Sequence, residues 1–193
     1  MNIVIVDYGA GNIQSVLFAL KRLGLTAILS ADPEVIKAAD KVIFPGVGHA
    51  HSAMEKLKKS RIDLLLPNLK QAVLGICLGM QLMCEESEEG GTKGLGIFKG
   101  RVQAFNDALK VPQIGWNTIS DLKGPLFKGV SEKSYIYMVH SYYAPLCENT
   151  IGSCEYGLTY SAALSRDNFY GTQFHPEKSS QVGNQILKNF LDL

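Results

Sequence analysis

The sequence has almost no net charge. Nineteen Lys and Arg against eighteen Asp and Glu leave +1 over 193 residues, and no basic stripe stands out. The electrostatic footprint of a nucleic-acid binder is therefore missing. Also missing is any apolar run near the roughly 20 residues that a membrane helix needs. The first residues, Met1-Asn2-Ile3-Val4-Ile5-Val6-Asp7, carry neither a basic leader nor a full signal core, so the expected compartment is the cytoplasm. Cysteine is scarce: Cys77, Cys84, Cys147 and Cys154 form no Cys-x-x-Cys pair, which argues against zinc and dithiol-redox sites. Free thiols are expected rather than two disulfides, with Cys84, Cys147 and Cys154 as small buried hydrophobes. Repeats, low-complexity tracts and linkers are absent too. What is present, 46% hydrophobic and 19% charged residues, describes a globule with a core, expected as one domain over 1–193.

The first half alternates strand and helix patterns. An apolar run over 2–7 leads into the glycine turn Tyr8-Gly9-Ala10-Gly11. Asn12 is placed to cap a helix whose Ile13, Val16, Leu17, Leu20 and Leu23 keep helical spacing, closed by Gly24. Strands are expected at 26–29 and at 41–44, the latter stopping at Pro45-Gly46, with a brief helix opened by Pro33 between them. One or two helices cover 50–70 around Pro67, and a strand follows at 72–76. Repeated strand–helix alternation predicts an open, mostly parallel sheet with helices on both faces. Short strands at 101–105, 114–119, 135–139, 153–157, 160–165 and 169–174 predict an antiparallel β extension in the second half. A last helix, capped by Ser179 or Ser180, carries Val182, Ile186, Leu187 and Phe190 on one face. The acidic stretch 85–91 reads as a solvated loop.

Chemistry concentrates at Gly75-Ile76-Cys77-Leu78-Gly79, between an apolar strand and an amphipathic helix. This is the layout of a nucleophile elbow with cysteine in the usual place of serine. Flanking glycines allow a turn in which a Cβ would strike its neighbours, and the helix start favours a thiolate. Downstream, His175-Pro176-Glu177 follows a strand, where residues i and i+2 share a side, so the carboxylate can orient the imidazole that takes the thiol proton. His49, His51 and His140 have no such carboxylate nearby in sequence. The turn Pro45-Gly46-Val47-Gly48 ends the third strand, where ligands bind in open parallel sheets, and its amides can face an oxyanion. Gly9-Ala10-Gly11-Asn12 resembles the start of a dinucleotide fingerprint, but Gln14 stands at the sixth position, where that fingerprint needs glycine.

Gly75-Ile76-Cys77-Leu78-Gly79-Met80-Gln81 with His175-Pro176-Glu177 resembles the class I (triad) glutamine amidotransferases, a flavodoxin-like fold. Asp7-Tyr8-Gly9-Ala10-Gly11-Asn12, Pro45-Gly46-Val47-Gly48, Pro112-Gln113-Ile114-Gly115-Trp116-Asn117, His140-Ser141-Tyr142-Tyr143 and His175-Pro176-Glu177-Lys178-Ser179 are similar to one branch of that family, along the whole chain. That resemblance implies a Cys77, His175, Glu177 triad that hydrolyses glutamine to glutamate and ammonia. It implies an oxyanion hole from the amide of Val47, in the Gly46 to Gly48 turn, and that of Leu78, next to the thiol. Gln81, Glu89, Ser141 and Tyr142 would hold the α-amino and α-carboxylate groups of glutamine, with no metal and no cofactor. In that branch the ammonia passes, within a heterodimer, to a (β/α)8-barrel cyclase subunit that makes imidazole glycerol phosphate and aminoimidazole carboxamide ribotide in histidine biosynthesis. Asn12, Trp116, Tyr137 and Lys178 match positions that face the cyclase.

Two other readings compete. The glutaminase of pyridoxal phosphate synthase has a similar length and triad, but its amino-terminal motif differs from Asp7–Asn12, and Lys178 is unexpected in it. A flavodoxin-like module that binds nucleotide without catalysis would leave Cys77 unreactive toward glutamine-mimicking electrophiles.

Overall fold

The computed structural model describes residues 1–9, 11–106 and 108–193. In chain order its elements are β1 (Ile3–Val6), α1 (Ile13–Arg22), β2 (Ile28–Ser30), α2 (Pro33–Lys37), β3 (Lys41–Gly46), α3 (Ala50–Lys59), α4 (Ile62–Leu65), β4 (Ala72–Cys77) and α5 (Leu78–Met83). There follow β5 (Cys84–Ser87), β6 (Thr92–Lys93), β7 (Phe98–Ala104), β8 (Gln113–Thr118), β9 (Tyr135–His140) and β10 (Tyr142–Tyr143). The chain closes with β11 (Thr150–Glu155), β12 (Thr159–Arg166), β13 (Phe169–Thr172) and α6 (Ser180–Leu191).

The main sheet has the order β11-β12-β13-β4-β3-β1-β2. Strands β13, β4, β3, β1 and β2 run parallel, while β12 is antiparallel to β13 and β11 to β12. Both faces are covered, which is why β1 is an unbroken apolar run: Val4 and Val6 pack on one side, Ile3 and Ile5 on the other. The first side holds Leu57 of α3, Ile62 of α4 and Met80 and Leu82 of α5. The second holds Val16 and Leu20 of α1 with Ile186, Leu187 and Phe190 of α6. Helix α5 is far too short to persist alone, and burial of all its residues is what holds it.

The open sheet with helices on both faces is thus as the strand–helix alternation implies, but several local expectations change. The second strand lies at Ile28–Ser30 rather than 26–29. The third runs on through Pro45 and Gly46, which pair with Ile76 and Cys77. Because β1 pairs with β3 only as far as Ile43, a residue without an N–H is tolerated at 45. The extension is split: β11 and β12 lengthen the main sheet, β8 and β9 form a separate hairpin, and β10-β7-β5-β6 is a small third sheet. In that third sheet β5 pairs with β7 in parallel, so the acidic stretch begins as a strand at 85–87 and ends in a 3-10 turn, Glu89–Gly91. Glu85, Glu86 and Glu88 point to solvent and Ser87 inward. Neither Asn12 nor Ser179 accepts a backbone N–H of its helix with its side chain. Asn12 Oδ1 accepts from Ser15 Oγ at 2.9 Å, and the Ser179 hydroxyl turns toward β9. Gly24 does follow the end of α1, with a φ of +77° that suits glycine.

Candidate active site

The parallel strands deliver their carboxyl ends to one edge, and the chemistry gathers there. Strand β4 ends in Cys77, which is also the first flanking residue of α5. Its φ of 54° and ψ of −111° are unfavourable for any side-chain-bearing residue, so the strain sits on the cysteine itself. The flanking glycines serve differently, by letting α5 lie flat on the strands. A Cβ on Gly75 would meet Met83 Sδ at 2.5 Å and Met80 N at 2.9 Å, and one on Gly79 would run into the Phe44 carbonyl.

Strand β13 lies beside β4, with Thr172 level with Ile76, so the chain leaving β13 arrives next to Cys77. The strand ends at Thr172, and Glu177 reaches His175 through the 3-10 turn Pro176–Lys178 rather than by strand alternation. Glu177 Oε1 stands 2.7 Å from His175 Nδ1, with both side chains almost wholly buried. The turn is pinned three ways. His175 N donates to the Tyr137 carbonyl at 3.0 Å, Ser179 Oγ donates to the His175 carbonyl at 2.7 Å, and Arg22 Nη2 donates to the Glu177 carbonyl at 3.1 Å.

With Nδ1 committed to Glu177, Nε2 is left for proton transfer, and it is buried without a hydrogen-bond partner. Burial pulls the His175 pKa down, but the adjoining Cys77 thiol and Glu177 carboxylate outweigh it and lift the pKa to about 10. The imidazolium form is therefore favoured between its two neighbours. Cys77 Sγ itself faces the Val139 carbonyl and the Gln173 amide, each at 3.7 Å.

A cavity of about 280 Å³ opens on the thiol. Of the residues implicated by sequence, Cys77, His175, Val47, Gly48, Leu78, Gln81, Glu89, Ser141 and Tyr142 line it. Glu177 stands behind His175. Gly46 lies behind the wall, where a Cβ would be 2.6 Å from Gly79 N and 2.9 Å from the Tyr8 hydroxyl. That hydroxyl donates to the Pro45 carbonyl at 3.0 Å, and burial foremost, then the Cys77 charge, pushes its pKa up. Glu89 uses Oε2 to accept from Ala50 N at 2.7 Å, fixing its carboxylate at the rim.

Sequence reasoning missed Pro112, Val139 and His140 in the wall and Gln173 against the sulfur. Gln173 and His175 both lie just past the end of β13, so strand alternation does not place Gln173 there. The others depend on β9 folding over the sheet edge. His140 is neutral there: burial chiefly, and the nearby His175 charge, take its pKa down to about 4 despite the Tyr142 carbonyl 2.7 Å from Nδ1.

Of the four residues matched to a partner surface, three meet. Trp116 and Tyr137 face each other across β8 and β9 with ring centroids 5.9 Å apart, and Lys178 Nζ lies 5.8 Å from the Tyr137 ring. Trp116 is half exposed. Asn12 sits apart on the turn after β1, at the same carboxyl edge.

A strained cysteine elbow, a buried His–Glu pair and a small cavity meet on a parallel sheet edge, an arrangement whose chemistry suits cysteine acyl transfer. The family model described as glutamine amidotransferase class-I matches residues 4–193. Imidazole glycerol phosphate synthase subunit HisH of Bacteroides fragilis (strain YCH46) is 55% identical, over 100% of both chains. The subunit of the same name from Yersinia pestis is 46% identical, again over 100% of both. Among solved structures, PurLQS from Thermotoga maritima has a TM-score of 0.73 at 18% identity, covering 99% of this chain and 97% of that one. Another, a glutamine amidotransferase, reaches 0.76 at 18% identity over 98% and 97%. These two speak for the fold. The chain belongs to the class I glutamine amidotransferases, in the family of the HisH subunits of imidazole glycerol phosphate synthase. It is an enzyme of glutaminase type.

Proposed function

We propose that Cys77, His175 and Glu177 are the triad through which this chain hydrolyses glutamine, as one domain over 1–193 and in the cytoplasm. The observation that carries the assignment is His175: Nδ1 is held by Glu177 while Nε2, buried and unbonded, shares a cavity with the thiol. In the reaction Nε2 takes the Sγ proton, and the thiolate attacks the side-chain amide carbon of glutamine. The amides of Val47 and Leu78, beside Gly48, stabilise the oxyanion. Collapse breaks the C–N bond, and His175 protonates the leaving nitrogen, which departs as ammonia. His175 then takes a proton from water, which hydrolyses the γ-glutamyl thioester to glutamate and restores the thiol.

Glutamine's charged end fits the far side of the cavity. Both amide hydrogens of Gln81 are used, one on the Tyr142 carbonyl and one on Gln173 Oε1, each at 2.9 Å. Its oxygen and the second oxygen of Glu89 remain as acceptors for the α-ammonium, with Ser141 and Tyr142 nearest the α-carboxylate. The partner is the cyclase subunit of imidazole glycerol phosphate synthase, in a heterodimer serving histidine biosynthesis. The relatives' names and the exposed Trp116–Tyr137–Lys178 group support this. Four free cysteines fit a reducing compartment.

The test is glutamine hydrolysis by the assembled complex carrying Cys77→Ala. Activity should vanish with the fold intact, and an ammonium salt should still support the cyclase reaction. Hydrolysis near the unsubstituted rate would refute the triad.

A further inference from the structure

The triad makes no use of Gln173, yet this side chain is completely buried against the nucleophile. Its Nε2 lies 3.7 Å from Cys77 Sγ, and its Oε1 is 2.9 Å from Gln81 Nε2. The direction of the amide follows from its surroundings. The Tyr142 carbonyl can only accept, so the Gln81 atom 2.9 Å away is the NH2 group. Its second hydrogen goes to Gln173, which must present oxygen there. Gln173 therefore turns its own NH2 to the sulfur. Opposite stands the Val139 carbonyl, also 3.7 Å from Sγ, which can accept the thiol proton but repels a thiolate.

We propose that Gln173 stabilises the Cys77 thiolate by donating an N–H to its sulfur, and so draws Sγ from the Val139 carbonyl toward attack. The inference rests on Cys77 being the nucleophile. A hydrogen bond to a charged acceptor is about twice as strong as one to a neutral acceptor, so the contact favours the state in which the proton has passed to His175. Through Oε1 the same amide reaches Gln81, whose side chain lines the cavity. Nucleophile and substrate-binding side chain thus share one chain of hydrogen bonds.

Gln173→Met and Gln173→Glu separate this role from simple support of Gln81. Met fills a similar volume and donates nothing. Glu still accepts from Gln81 but brings a negative charge to the sulfur. In the assembled complex, alkylation of Cys77 by iodoacetamide is followed on its peptide by mass spectrometry across a pH series, beside kcat and KM for glutamine. Near neutral pH the Met variant should be alkylated about tenfold more slowly, the low end for a hydrogen bond to a charged group, and the deficit should close as pH rises. The Glu variant should be slower still, with kcat falling in the same order and more than KM changes. A Met variant alkylated like the unsubstituted chain at every pH would overturn the proposal, whether or not the Glu variant folds. A Glu variant milder than Met would also overturn it, since support of Gln81 alone gives that order. Cys77→Ala runs alongside. If it hydrolyses glutamine, the triad and this inference fall together. If it is inactive while Gln173→Met behaves as unsubstituted, only the role of Gln173 falls.

Discussion

Tyr137 and His175 are tied together twice. The His175 amide donates to the Tyr137 carbonyl at 3.0 Å, and the Ser179 hydroxyl accepts from the Tyr137 amide at 3.0 Å while donating to the His175 carbonyl at 2.7 Å. The Tyr137 ring contacts Trp116 and Lys178 at the surface. The residue that carries this aromatic group is therefore bonded to His175 directly and again through Ser179, and a shift of β9 would be felt by the imidazole.

Losing His175 should cost far more activity than losing the carboxylate that orients it. His175→Ala is expected to leave almost no glutaminase activity, while Glu177→Gln, which can still bond Nδ1, keeps measurable turnover. Steady-state rates of the assembled complex decide the ranking. Equal losses would count against it, and a fully active His175→Ala would remove the triad.

The isolated chain should be a poor glutaminase until the cyclase binds its nucleotide substrate. Val47 is partly exposed, and its N–H belongs to the peptide that follows Gly46, whose freedom lets that peptide rotate cheaply. An oxyanion donor turned away costs about a hundred- to a thousandfold in rate, roughly 3–4 kcal/mol. Glutamine hydrolysis is compared for the chain alone, with cyclase, and with cyclase plus nucleotide ligand. Full activity in the lone chain would exclude gating.

Gly79→Ala should destabilise the fold by about 3 kcal/mol or more, at or above the upper end for overpacking, because the obstacle is the Phe44 backbone carbonyl rather than a movable side chain. Urea denaturation midpoints measure this. A stability unchanged from the unsubstituted chain would mean that α5 does not press on β3 as described.

His140 should weaken the fold in mild acid. Its pKa of about 4 lies below the 6.5 of an ordinary histidine, so between those values the unfolded chain takes up a proton that the folded chain refuses. Stability then rises with pH in that window and drops by roughly 3 kcal/mol on acidification through it. His175 acts oppositely: its raised pKa contributes stability below pH 6.5 that is lost as pH climbs toward about 10. Chemical denaturation across pH, with His140→Gln for comparison, should show a shallower acid slope in the variant. An identical slope would remove His140 as the cause.

The residues of local order could be read directly from the sequence. Unbroken apolar runs at β1, β3 and β4 marked strands covered on both faces, and the spacing within α1 and α6 marked helices with one buried side. The pair of glycines around Cys77 marked the elbow, because no other residue fits where a helix crosses a strand that closely. His175-Pro176-Glu177 marked a buried imidazole–carboxylate pair, although a 3-10 turn rather than strand geometry brings the two together. What only the tertiary structure decided depends on segments far apart in sequence. The pairing of β5 with β7 turned the start of an acidic stretch, 85–87, into a strand, since a partner's edge can order residues whose own pattern looks like a loop. The crossing of β9 over the sheet edge set Val139 and His140 into the cavity wall and drove the His140 pKa down. The contact of Gln173 with both Cys77 and Gln81 likewise exists only once β4, α5 and β13 are packed. Burial, charge proximity and hydrogen-bond direction are properties of that packing, and a side chain acquires them only when distant strands close around it.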